Sequence, residues 1–82
     1  MRFSEIIDGL LGRRYYFDPS RHIRLQYLLL TSKGLVWRDV DGAEWSAQLD
    51  KYDLMSEAWH EINDSDIERF KIYRKSWEIP SQ

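Results

Sequence analysis

Cysteine is absent from the 82-residue chain. Its absence rules out disulfides, thiolate zinc sites and cysteine nucleophiles, and makes a reducing compartment the easier setting. A long apolar stretch is missing from the start as well: MRFSEIIDGLLG is broken at Asp8 and Gly9, so it reads as neither a signal peptide nor a membrane span. The expected location is the cytoplasm. No nucleophile elbow, P-loop or zinc motif occurs, and the expectation is a protein that is not an enzyme and uses no cofactor. His60 sits near Glu57 and Glu61, but one imidazole and two carboxylates without further ligands are a weak set, and no metal site is expected.

What is present is a single domain's length of chain, residues 1–82. A chain this short buries only about 60–65% of its unfolded surface, so its core is marginal and association with further copies is a natural supplement. Aromatic residues make up 15% of the sequence. Each can bury roughly 150–250 Å², more in total than so small a core needs, which points to a subunit interface or a ring-lined pocket. The net charge is −2, yet residues 1–38 carry seven basic and three acidic side chains, residues 39–68 one basic and ten acidic, and residues 69–82 four basic and one acidic. Blocks of opposite sign of this kind most simply face one another.

Local patterns give an α+β order of elements. Ser4 is placed to cap a short helix over Glu5 to Leu11, with Gly12 just past its end. Arg13 to Phe17 has strand composition, and Asp18-Pro19-Ser20 is a turn. In HIRLQYLLL, His22 to Leu30, apolar and polar residues alternate as in a strand covered on one face. Thr31-Ser32-Lys33-Gly34 supplies a hairpin turn, Leu35 to Arg38 the return strand, Asp41-Gly42 a second hairpin and Ala43 to Ser46 a third strand. The expectation is an antiparallel meander of four to five strands. A helical turn follows near 50–58, started by Asp50 or Asp53, with Leu54 and Met55 turned inward and Trp59 delivered to the core. The chain then extends through Glu61 and Ile62. Asn63-Asp64-Ser65 opens a C-terminal amphipathic helix with Ile67, Phe70, Tyr73 and Trp77 on one side, ended by Pro80.

The stretch Asp53-Leu54-Met55-Ser56-Glu57-Ala58-Trp59 resembles the Asp-Leu-Leu-Ala-x-Asp-Trp signature of small phage proteins, the second type of Thoeris anti-defence protein. Phe3-Ser4-Glu5 followed by Leu10 and Gly12 is similar to the opening of that family, and Trp45-Ser46 to its Trp-x-x-Ser segment. The resemblance covers residues 3–62 and leaves 63–82 as a C-terminal extension. It implies a compact α+β domain with an antiparallel sheet, assembled as a homo-oligomer, dimer or tetramer. Such proteins act without catalysis as sponges that bind a cyclic ADP-ribose-type immune signal. The chain departs from the pattern after Gly12-Arg13-Arg14, where Tyr15 to Ser20 lack the arginine and tryptophan of the family.

A nucleotide pocket without metal or glycine-rich loop needs flat rings to stack a base and arginines to hold phosphate. Arg13, Arg14, Tyr16, Arg24, Trp37 and Trp45 supply both, together with Tyr15 and Arg21; Ser46 joins them through the resemblance. Against this, Tyr15, Phe17 and Trp37 also suit a sheet core, with the arginines paired to the acidic block. Asp53 and Trp59 read as structural, a cap and a core anchor, and His22 as a surface strand residue or a phosphate contact. The expected partners are a small cyclic nucleotide and further copies of the chain, not a nucleic acid polymer or a membrane. A rival reading makes the acidic block 39–68 a stand-in for DNA phosphate in a protein that inhibits a host defence nuclease. A third is a phage structural module without a ligand.

Overall fold

The computed structural model describes residues 1–20 and 26–78, with side chains described through residue 72. The first helix, α1 (Phe3–Leu11), starts two residues before the expected Glu5. Ser4 is not its cap, because it already lies in the first turn. Arg2 holds the cap position, with no side-chain acceptor to offer, and Glu5 closes the end by accepting the Arg2 N–H at 2.8 Å. Ile6, Gly9 and Leu10 face inward at helical spacing.

Five strands follow: β1 (Tyr15–Phe17), β2 (Gln26–Thr31), β3 (Gly34–Asp39), β4 (Glu44–Ser46) and, after the single-turn helix α2 (Lys51–Met55), β5 (His60–Ile62). They form one sheet in the order β4-β3-β2-β1-β5. Every neighbouring pair is antiparallel. Both hairpins close as the turn chemistry requires. Gly34 and Gly42 take positive φ, 107° and 92°, and Asp39 Oδ1 accepts the N–H groups of Asp41 and Ala43. The expected strand from His22 is observed from Gln26, and residues 21–25 lie outside the described residues.

Strand alternation sorts the aromatic residues onto two faces. On one, Ile6 and Leu10 of α1 pack with Tyr16, Leu28, Trp37 and Trp59. On the other, Tyr27, Leu29, Val36, Val40 and Ile62 pack with Ile67 of the last helix, α3 (Asp64–Glu78). Phe70 meets Phe17 at a ring separation of 5.2 Å. Ile67 and Phe70, within the segment after residue 62, therefore cover part of the second face of the sheet. Its start is sealed reciprocally: Asn63 Oδ1 accepts the Asp66 N–H at 3.0 Å, and Asp66 Oδ2 accepts the Asn63 N–H at 2.9 Å. The bond from the Asn63 N–H, then Arg69, holds the Asp66 carboxyl below the usual range.

The α2 turn corrects one expectation. Asp50 is the cap, and Asp53 exchanges bonds with it, Oδ2 accepting the Asp50 N–H at 3.1 Å and Asp50 Oδ1 the Asp53 N–H at 2.9 Å. A single turn can bury only one side, and here Asp53 takes it. Leu54 and Met55 consequently face solvent, 50% and 75% exposed.

Gly9 is a helical position where a side chain has no room. A Cβ there would overlap the Tyr16 hydroxyl and lie 2.6 Å from its ring carbon. Gly9→Ala should lower stability by about 1–3 kcal/mol through overpacking, although alanine is the better helix former by about 1 kcal/mol. Tyr16→Phe added to it should recover part of the loss; urea unfolding of the single and double variants measures both.

Candidate functional site

The turn from α1 into β1 presents two adjacent arginines. Arg13 donates its N–H to the Leu10 carbonyl at 3.0 Å, and Arg14 donates its own to that of Gly9 at 2.9 Å, the paired bonds that end a helix in a left-handed residue. That residue is Arg13, with φ 63°, whereas Gly12 before it keeps φ −82°. Glycine would adopt this conformation without strain, so an arginine here carries a penalty of about 1–2 kcal/mol. Its guanidinium is anchored by donating from Nη1 to the Leu30 carbonyl at 2.9 Å.

Arg14 is exposed and reaches the Glu61 carboxylate at 3.4 Å. The same oxygen accepts the Tyr16 hydroxyl at 3.1 Å. Burial, and then Glu61, push the Tyr16 phenol above the usual tyrosine range. Tyr16 and Trp37 belong to the core. Trp37 is 5% exposed and lies nearly parallel to Trp59, with ring centroids 6.2 Å apart. Neither ring offers a free face to a guest in this chain.

Trp45 stands directly across from Trp37 in the β3–β4 register but is 42% exposed. With Ser46, Glu44, Val36 and Lys33 it lines a hollow of about 230 Å³. Lys33, on the hairpin tip, supplies the cation beside it; sequence reasoning passed it over as turn residue only. The arginines of the α1–β1 turn do not line this hollow. Two strands separate β1 from β4, so the two groups are on the order of 14 Å apart across the sheet. Arg24, with Arg21 and His22, lies outside the described residues.

A larger cavity of about 450 Å³ was not anticipated. It opens between α3 and the second face of the sheet, over the tilted pair of Tyr15 and Tyr27. Asp41, Glu44, Asp64 and Glu68 outnumber Arg38 and Lys71 around it, so an anionic guest would meet net repulsion. Burial also pushes the Tyr27 phenol up, and Arg38 partly opposes the shift.

The opposite charge blocks meet as pairs. Arg2 contacts Glu57 at 3.0 Å, Arg14 contacts Glu61, and Arg38 donates from Nε to Glu44 at 2.6 Å. Most of these are exposed, so each contributes about 1 kcal/mol or less. Among the described residues, no group of three histidines or carboxylates converges to hold a metal ion, and no helix is long and apolar enough to cross a membrane.

Two outcomes follow from this geometry. Arg13→Gly should raise the stability of the fold by about 1 kcal/mol, read as a higher urea midpoint, because the left-handed strain is removed. Stability should also fall as pH rises above about 10, since the unfolded chain releases its tyrosine protons before the folded one does. Tyr16→Phe should make that alkaline fall shallower. No family model, curated protein or solved structure matches the chain.

Proposed function

We propose that the chain is a non-catalytic sponge that binds a small cyclic nucleotide signal of the cyclic ADP-ribose type, acting as a homo-oligomer in the cytoplasm of a phage-infected host. The observation that carries this reading is Arg13. A strained left-handed arginine follows directly after a glycine that could have taken its place, and its exposed guanidinium reaches the Leu30 carbonyl of β2 while that of Arg14 reaches Glu61 of β5. Strain retained at one exposed, charged position is more economically explained by a ligand than by stability. Exposed guanidiniums on either side of β1 suit phosphate oxygens, and the half-exposed Trp45 offers a face on which a base can stack. On this reading Arg13, Arg14, Trp45 and Ser46 touch the ligand, with Arg24 as a further contact, while Tyr16 and Trp37 shape the support beneath.

One observation favours the rival class, a protein-binding inhibitor. Tyr52, Leu54 and Met55 form an exposed apolar turn beside Glu57, which suits a partner protein better than a nucleotide. Leu54→Ser with Met55→Ser separates the two, because it removes the turn's apolar surface and leaves the arginines untouched.

Isothermal titration against cyclic ADP-ribose isomers and cyclic di- and trinucleotides tests the proposal. The expected result is binding to one of them, with intact ligand recovered after heating. Arg13→Gly should weaken that binding about 10- to 100-fold, as loss of one charge-assisted contact implies, while the protein remains folded. Absence of heat with every ligand would overturn it.

A further inference from the structure

The outer edge of the sheet at β4 has an arrangement suited to one particular partner. Ala47 donates its N–H to the Leu35 carbonyl at 3.0 Å, and Asp39 donates to the Ala43 carbonyl at 3.0 Å. Antiparallel pairing alternates, so the backbone groups of Trp45 also turn toward β3, and those of Glu44 and Ser46 point away from the sheet. β4 is the terminal strand, and among the described residues no strand lies beyond it. The segment Ala43 to Ala47 contains neither proline nor lysine, the usual devices that discourage edge pairing. Its one charge, Glu44, is tied to Arg38 of the neighbouring strand.

The geometry points to a second copy of this chain as the occupant, paired antiparallel along β4 about a twofold axis at Trp45. Trp45 then faces its equivalent in a pair without backbone bonds, where side chains come closest. Glu44 of each copy faces Ser46 of the other, and the four outward N–H and C=O groups of each copy find partners. Lys33 flanks the Ser46 end of the hollow and so lies near Glu44 of the opposing copy, giving opposite charges across the seam. The other edge of the sheet lacks this match. β5 paired about its central residue would set Glu61 against Glu61.

Association also enlarges the site. A hollow of about 230 Å³ falls below the roughly 300–1,000 Å³ usual for small-molecule sites, and two hollows brought to one seam reach that range. This last step rests on the sponge reading; the strand pairing does not.

The chain contains no cysteine, so Trp45→Cys introduces a single thiol. The facing α-carbons of such a pair lie about 4.5 Å apart, within disulfide reach. Mild oxidation should convert Trp45→Cys to a covalent dimer at least tenfold more completely than Ser46→Cys, whose thiol faces residue 44 of the other copy. In sedimentation velocity the unmodified protein should be dimeric or larger, and Lys33→Glu should weaken the dimer about tenfold or more. Equal crosslinking of the two cysteine variants, or a monomer throughout the micromolar range, would overturn the pairing. Nucleotide titration of the unmodified protein separates the two readings: a dimer that binds no nucleotide removes the sponge and keeps the seam, and nucleotide binding by a monomer does the reverse.

Discussion

Trp59 fixes the rest of the molecule. Its indole is fully buried, donates from Nε1 to the Asp53 carbonyl at 3.0 Å, stacks against Trp37 and meets Phe3 edge-on at 5.9 Å. One side chain thus joins the α2 turn, the start of α1 and the centre of the sheet. Removing a tryptophan of this kind costs about 3–5 kcal/mol. A domain of this size holds only about 5–10 kcal/mol in total, so the fold depends on that single contact set. The buried Nε1–H would be an orphan donor without the Asp53 carbonyl, which explains why the turn at Asp50 to Asp53 is held by reciprocal capping bonds.

The same contact decides which rings are left outside. Trp37 and Trp45 face each other across two strands, yet only Trp37 meets Trp59, and Trp45 stays half-open at the sheet edge. Tyr16 is drawn inward against Gly9 by α1 packing over the first face. What remains accessible is a separated set: two arginines at one corner, a tryptophan and a serine at the far strand, and a lysine on the β2–β3 turn beside them. A single chain distributes these groups over its surface, and pairing along β4 brings Trp45, Ser46 and Lys33 of two copies to one seam while the arginines stay two strands away. The tyrosine-floored cavity under α3, rimmed by carboxylates, has the wrong sign for phosphate and plays no part in that reading.

Much of the fold could be read directly from the residues because its signals are local. Gly34 and Gly42 mark both hairpins, Asn63 marks the start of α3, and alternation marks β2. Non-local choices were not readable. Nothing within residues 60–62 says that they pair with β1 on the opposite edge from β4, and nothing local says that Ile67 and Phe70 complete a second core. The left-handed position falls on Arg13, where bonds to Gly9 and Leu10 close α1, and no local signal shifts it there from the adjacent glycine. Leu54 and Met55 were expected inward by composition, but a one-turn helix with a buried Asp53 has no second inner side. Of the site residues, the exposure of Arg13, Arg14, Trp45 and Ser46 fits a surface role, whereas the burial of Tyr16 and Trp37 depends on helix packing and the distant Trp59.

If one indole locks the whole domain, its N–H cannot exchange with solvent until everything around it opens. Native-state hydrogen exchange of the Trp59 indole measures this directly. The account predicts an opening free energy equal to that of global unfolding and to that of the most protected amides of β2 and β3. Exchange of the indole well before those amides would contradict it.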